Sequence, residues 1–238
     1  MCHNASLYRL VEYSCLTRQL FFIPMRTIFY VDGFNFYYGL KNQMKANPTW
    51  RQAYWIDLVK FFEQFLSPND ELIKVKYFTA APLSVGKRSR QSAFFKANDL
   101  INGDRFEIIR GKYIDKDIKC KNCHTHFSKP EEKRTDVNLA VHLIGDCALN
   151  KVDKLVLVTT DSDLVPPLEF IKLNYPNKAL RIYFPPSNFS SDLKNISHRK
   201  KVTLLKDNLR KFQNAQMDHI VLKSDGTDSA SIPQKWIV

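Results

Sequence analysis

Two short apolar runs, far apart in the chain, have the pattern of buried β-strands. Residues 27–31 and 155–158 show almost no alternation of polar and apolar positions, as is typical of strands that are covered on both faces. Each run is followed by a segment whose spacing suits a helix. Buried strands that alternate with helices predict an α/β fold with a parallel sheet.

The same alternation continues along the chain until Pro185 and Pro186 end it. The pattern predicts further strands at residues 73–80, 106–113 and 179–184, and helices at 50–66, 88–102, 135–149 and 164–174. We therefore predict an N-terminal extension, one α/β domain with a polar, Cys-containing loop or small insertion, and a basic, helical and polar C-terminal arm. Their respective boundaries are residues 1–25, 26–186 with the insertion at about 114–130, and 187–238. Translation starts at Met1 or, in the second interpretation, at Met25.

Acidic side chains follow both apolar runs. Asp32 comes directly after the first, Asp161 and Asp163 follow the second, and Asp136 opens the helix that precedes the second run. Since the carboxyl ends of parallel strands line the crevice in which ligands bind, we expect these carboxylates to converge. Converging carboxylates repel one another unless a cation neutralises them, and oxygen ligands favour Mg²⁺ or Mn²⁺. The competing interpretation, that Asp136 or Asp163 merely caps a helix, explains single acids better than the set.

The charge balance indicates a polyanionic partner. The 238 residues include 36 Lys and Arg against 24 Asp and Glu, which gives a formal net charge of +12 and a pI near 9.4. A basic surface around an acidic metal site suits a nucleic acid, although excess lysine also serves simply to keep a surface soluble. Because no apolar run approaches the roughly 18 residues of a membrane helix, we expect a soluble cytoplasmic protein without a membrane partner.

A pair of cysteines in the polar insertion has the spacing of a zinc knuckle. Cys120 and Cys123 enclose two residues, and His124 and His126 follow as further candidate ligands. The sequence contains no second Cys-x-x-Cys pair. Two hypotheses therefore remain for this pair: a structural zinc ion, or two reduced thiols in a cytosolic protein.

Three segments carry the acids: residues 31–35, 131–140 and 160–166. In this order they resemble the motifs of NYN-domain proteins of the LabA-like group, a branch of the PIN-like nucleases, over about residues 26–186. The resemblance implies a three-layer α/β/α PIN-like fold with a central parallel sheet. One position departs from the family pattern, since Thr160 stands where relatives usually have glycine.

The resemblance also implies a metal-dependent endoribonuclease, a hydrolase that acts on RNA phosphodiester bonds with Mg²⁺ or Mn²⁺. The alternative is a catalytically weak RNA-binding or adaptor module that keeps the fold, and a homodimer is compatible with either. The catalytic positions carried over from the family, of which the four aspartates are the metal ligands, are Asp32, Asn35, Asp136, Asp161 and Asp163. The expected substrate contacts are Lys133, Thr160 and Ser162.

Overall fold

The computed structural model describes residues 23–119 and 121–237, and these residues include ten strands and seven α-helices. The strands are β1 (Met25–Asp32), β2 (Asp70–Thr79), β3 (Phe106–Arg110), β4 (Lys112–Lys119), β5 (His126–Lys133), β6 (Lys154–Val158), β7 (Ala179–Phe184), β8 (Val202–Leu204), β9 (Ile220–Leu222) and β10 (Ser229–Ser231). The helices are α1 (Gly33–Ala46), α2 (Leu58–Glu63), α3 (Val85–Asn102), α4 (Thr135–Ala148), α5 (Val165–Asn174), α6 (Ser191–Ile196) and α7 (Leu209–Asn214).

A parallel sheet of six strands, in the order β3-β2-β1-β6-β7-β8, forms the middle layer. Successive residues of β1 belong to opposite layers: Phe29 packs with α1, α2 and α3, and Tyr30 packs with α4 and α5. Both rings are fully buried, which explains why this strand shows no polar alternation. The predicted three-layer α/β/α arrangement is confirmed.

The predicted helix at residues 50–66 is two shorter elements. A 3₁₀ helix spans Pro48–Tyr54 and α2 follows it. The second helix begins after Asp57, whose side-chain Oδ1 accepts a hydrogen bond from the Lys60 N–H at 3.0 Å. An N-cap of this kind begins a new helix. The continuous periodicity therefore predicted one helix where the structure has two shorter ones.

The predicted strand at residues 106–113 is likewise divided, at Gly111. A Cβ there would lie 2.4 Å from Thr135 Oγ1 and 2.7 Å from the Lys133 carbonyl oxygen, so a side chain does not fit. β4 then turns away from the sheet and pairs with β5 as an antiparallel hairpin. The polar insertion is thus an ordered hairpin within the described residues, not a loop.

The packing continues well beyond the predicted domain end at residue 186. β8 is the sixth strand of the central sheet, and Phe212 of α7 is fully buried, with its ring centroid 4.2 Å from that of Phe61. Trp236 stacks on Tyr54 at 5.5 Å between ring centroids. The C-terminal region is therefore part of the packed structure and not an arm. The predicted extension at residues 1–25 lies almost entirely outside the described residues.

None of the helices in residues 23–119 and 121–237 combines the length and the hydrophobicity that a membrane crossing requires.

Candidate functional site

The acidic site lies where the sheet reverses its direction of winding. From β1 the chain proceeds outwards to β2 and β3, and from the neighbouring β6 it proceeds the opposite way to β7 and β8. The loops after β1 and β6 therefore diverge and leave a crevice at their carboxyl ends, the usual ligand site of an open α/β sheet. Asp32 ends β1, and residues 159–161 follow β6.

Asp32 is held by four hydrogen bonds. It caps α1, where its Oδ1 accepts from the N–H groups of Phe34 and Asn35, both at 3.1 Å. Its Oδ2 accepts from Asn35 Nδ2 at 2.6 Å and from Thr159 Oγ1 at 2.7 Å. Burial raises the pKa of Asp32, and the bonds from Thr159 and Asn35 oppose that rise. The carboxylate is consequently fixed in orientation and costly to leave charged without a cation.

Gly33 allows this turn to pack. A Cβ at Gly33 would lie 2.4 Å from the Tyr77 ring and 2.7 Å from the Phe78 carbonyl oxygen. Only glycine lets the start of α1 come so close to β2, so the Asp-Gly pair of the first motif is required by packing as well as by chemistry.

Thr159 connects the two strand ends. Its hydroxyl, fully buried, donates to Asp32 and accepts the Asp161 N–H at 3.1 Å. Asp161 in turn caps the 3₁₀ turn Ser162–Leu164, since its Oδ1 accepts the Asp163 N–H at 3.0 Å. Asp32 and Asp161 are thus the capping residues, rather than Asp136 or Asp163, for which the sequence had left a capping role open, and one threonine fixes the relative position of the two strand-end acids. Thr159 was not among the predicted site residues.

Asn35 and Thr160 form a second link across the crevice. The Thr160 hydroxyl donates to Asn35 Oδ1, while the Asn35 amide donates to Asp32. The hydroxyl that replaces the usual glycine therefore fixes the orientation of the Asn35 side chain.

Asp136 enters the site from the first turn of α4. Burial raises its pKa, and the charges of Asp161, Asp32 and Asp163 raise it further. The preceding Arg134 has a left-handed backbone, with φ of 79°, which turns the chain from β5 into α4. Asp136 therefore lies within the electrostatic field of all three other acids.

Glu132, at the end of β5, is an additional member of the cluster that the sequence did not identify. It accepts a hydrogen bond from the Thr135 hydroxyl. Burial, with help from the charges of Asp32 and Asp136, raises its pKa to about 7. Its place in the second motif, next to Glu131, was the available signal, but neighbouring glutamates give no indication of which one faces the site.

The donor chemistry of this cluster fits a hard divalent cation. All the side-chain donors are oxygens, and their mutual repulsion is the kind that Mg²⁺ or Mn²⁺ relieves. The acids do not form a complete metal-binding site. Within residues 23–119 and 121–237, no three His, Cys, Asp or Glu side chains lie close enough together to hold one ion. The expected ligands Asp32, Asp136, Asp161 and Asp163 share an edge and an electrostatic field.

Comparison with known proteins identifies the family. A family model described as the NYN domain matches residues 26–205. The chain belongs to the NYN domain family. Members of this family are generally nucleases, and the end of the match at residue 205 includes β8, in agreement with the sheet.

Two further proteins are similar to this NYN domain protein. The 6-hydroxy-3-succinoylpyridine 3-monooxygenase HspA of Pseudomonas putida (strain DSM 28022 / S16) is 29% identical over 223 residues, covering 78% of this chain and 69% of the relative. The crystal structure of a protein of unknown function from Vibrio parahaemolyticus RIMD 2210633 has a TM-score of 0.52 at 19% identity, and the match covers 78% of this chain and 95% of that one. The second likeness concerns the fold alone.

The expected substrate contacts of the NYN domain differ in their exposure. Thr160 is half-buried and Ser162 is exposed in the 3₁₀ turn. Lys133 forms an ion pair with Glu131, with Nζ and Oε1 2.9 Å apart. Since exposed ion pairs are weak, Glu131 holds Lys133 only loosely.

The candidate zinc ligands belong to the β4–β5 hairpin. Cys123, His124 and His126 are exposed at its tip, whereas Cys120 lies outside the described residues. The structural zinc ion therefore stays a prediction for this NYN domain protein.

Proposed function

We propose that this protein is a metal-dependent endoribonuclease that hydrolyses RNA phosphodiester bonds. The observation that carries the proposal is the convergence of Asp32, Asp136, Asp161 and Asp163 at the carboxyl edge of the sheet, where Thr159 links the ends of β1 and β6. These four carboxylates repel one another at the crevice of the parallel sheet, and a bound cation would relieve that repulsion and attract the phosphate of a substrate.

Asp32, Asp136, Asp161 and Asp163 would hold one or two Mg²⁺ or Mn²⁺ ions. The chemistry that such an ion supplies is a lowered pKa for water and neutralisation of charge on the reacting phosphate. The aspartates bind and orient, and no protein nucleophile is needed. Asn35 maintains the orientation of Asp32 through the bond from its amide group.

Glu132 is suited to exchanging a proton during the reaction. Burial raises its pKa to about 7, and a general acid or base works best when its pKa lies near the operating pH. Its carboxyl group can take a proton from the attacking water or return one to the leaving oxygen. The net charge of +12 would attract the RNA towards this otherwise acidic crevice.

A catalytically weak RNA-binding or adaptor module is the second candidate. Two observations favour it. Among the described residues, no three Asp, Glu, His or Cys side chains lie close enough together to bind one metal ion. The Thr160 hydroxyl also donates a hydrogen bond to Asn35 Oδ1, which is then not free to bind a ligand. A module of this kind would bind RNA with the same surface and would have little turnover to lose.

Cleavage of labelled single-stranded and structured RNA distinguishes the candidates. The wild-type protein would be compared with Asp32→Asn, Asp161→Asn and the matched control Asp104→Asn, an exposed acid just before β3 and therefore at the opposite edge of the sheet, in Mg²⁺, Mn²⁺ or EDTA. We expect cleavage that EDTA abolishes, that both site variants lose and that the control keeps. Circular dichroism would verify that each variant is folded.

The other outcomes are equally informative. Binding of RNA without cleavage would favour the second candidate, and cleavage that survives EDTA or both site variants would refute the metal-dependent mechanism. Absence of both binding and cleavage would contradict both candidates. The next substrate to test would then be a small pyridine, the kind of compound for which the Pseudomonas putida relative is named.

A further inference from the structure

A groove lined by aromatic rings opens beside the acidic site. Its volume is about 250 Å³, and its walls include side chains of α1, α3, β4 and the C-terminal segment. The proposed hydrolysis uses none of its rings, of which the most important are Phe34, Tyr37, Tyr38, Tyr54, Tyr113 and Trp236.

The groove adjoins the acidic site. Gly33 and Phe34 line the groove, and the same Phe34 donates its N–H to Asp32 Oδ1 at 3.1 Å. The Tyr77 hydroxyl, from the floor of the groove, donates to the Gly33 carbonyl oxygen at 3.3 Å. The groove therefore begins at the two residues that follow Asp32, beside the acidic site.

The rings at the mouth of the groove are partly exposed, and Lys41 Nζ lies 5.5 Å from the centroid of the Tyr38 ring. Tyr38 is 42% exposed, and its ring lies 6.0 Å from that of Phe34 at an interplanar angle of 29°. Tyr113 closes the other side, 6.3 Å from Phe34. Proteins stack unpaired bases on partly exposed aromatic rings next to cationic side chains.

The charges of the groove suit a phosphate-bearing ligand. Lys87 and Arg90 of α3 are among its lining residues, and none of the described lining residues is Asp or Glu. Arg90 is close enough to Tyr37 to oppose the rise that burial causes in the pKa of that tyrosine. An apolar floor with cationic walls favours a planar base that is attached to a negatively charged backbone.

The size of the groove favours one base over a larger ligand. Its volume of about 250 Å³ is below the roughly 300–1,000 Å³ of most small-molecule sites. A stacked duplex cannot place a base there without unpairing it, because the bases of a duplex are covered by their neighbours.

We propose that this groove binds one unstacked base of single-stranded RNA, next to the phosphate that occupies the acidic site. The proposal rests on the proposed function, since it takes RNA as the substrate. It adds that the protein prefers single strands and loops, and that Tyr38 contributes to selecting the position of the bound strand.

Binding of abasic oligonucleotides tests the proposal without any turnover. Fluorescein-labelled single-stranded RNA, with each base removed in turn, would be titrated in EDTA against the wild-type protein, Tyr38→Ala, Tyr38→Phe and Phe170→Ala. Phe170 is a matched control because it is 46% exposed on α5, on the opposite face of the sheet. We expect one abasic position to weaken binding to the wild-type protein by roughly 5- to 150-fold, the range for one base stacked on a ring.

Tyr38→Phe and Phe170→Ala should retain this abasic penalty, and Tyr38→Ala should lose most of it. A penalty that is equal at all positions, or that Tyr38→Ala leaves unchanged, would overturn the proposal. Since the readout is affinity, a protein that binds RNA in this way but does not cleave it would contradict the proposed function and leave the base site standing.

Discussion

Replacement of Thr159 by valine tests whether one buried hydroxyl holds the two halves of the site together. The substitution keeps the shape of the side chain and removes the Oγ1 that donates to Asp32 and accepts from the Asp161 N–H. Asp32 then keeps three of its four hydrogen bonds while remaining only 3% exposed. The variant therefore isolates the contribution of the bridge between β1 and β6.

The expected loss of unfolding free energy at pH 7 is about 2–4 kcal/mol. A hydrogen bond to a charged group contributes about 1.5–3 kcal/mol, and an N–H that is left without a partner costs about 1–3 kcal/mol where it is buried. Asp161 is only half-buried, so water recovers part of the second amount. Thr159→Ser, which keeps the hydroxyl and loses one methyl group, should cost only about 0.8 kcal/mol.

The loss should also depend on pH. Burial raises the pKa of Asp32 in the folded protein, so the folded chain retains a proton that the unfolded chain has already released, and stability falls as pH rises through this range. The bond from Thr159 limits that fall, because it favours the carboxylate. Its removal raises the pKa of Asp32 further, and the difference between Thr159→Val and the wild-type protein should therefore be larger at pH 7 than in acid.

Urea denaturation in EDTA, followed by circular dichroism over a series of pH values, measures these differences. The urea midpoint should fall while the slope of the transition stays constant. The reasoning would be refuted if Thr159→Val lost no more stability than Thr159→Ser, or if its loss were the same at every pH.

Three further substitutions test other parts of the structure. Glu132→Gln should flatten the decline of stability between about pH 4.5 and 7, because burial raises the pKa of this carboxyl to about 7 in the folded protein; urea midpoints in EDTA would show it, and an unchanged pH profile would contradict it. Arg134→Gly should be about 1 kcal/mol more stable than Arg134→Ala, because φ is 79° at this residue; equal thermal midpoints would show that the backbone is unstrained. Lys76→Met should lower the free energy of unfolding by about 3–5 kcal/mol, since it leaves the buried carboxylate of Asp146, 2.6 Å from Lys76 Nζ, without its cation. Chemical denaturation should show that adding Asp146→Leu recovers most of this loss. No recovery would mean that the charge pair was not the cause.

The sheet could be predicted because its central strands are buried on both faces. Apolar runs of four or five residues, such as those in β1 and β6, can be recognised as strands without knowing which elements pack against them. The helices α4 and α5, with one apolar stripe each, were located to within about a residue at each end. Elements whose burial produces a local hydrophobic pattern can therefore be predicted from the sequence.

The hairpin and the C-terminal region could not be predicted in this way. β4 and β5 are largely exposed, so hydrophobic alternation does not mark them as strands. β8 is only three residues long, and Phe212 is buried by Phe61 and Trp50, which lie far away in the sequence. Elements whose burial depends on distant partners leave no periodic signal near their own position.

The same distinction explains which parts of the site were found. Asp32 and Asp161 follow apolar strands directly, so their position at the edge can be worked out from the fold class alone. The role of Thr159 depends on register: Val31 lies opposite Val158, which places the next residues, Asp32 and Thr159, side by side at the end of the ladder. A shift of one residue would turn the threonine to the other face and leave the carboxylate with one fewer donor. The acids of this site can be found in the sequence, but the geometry that makes them one site depends on how two strands align.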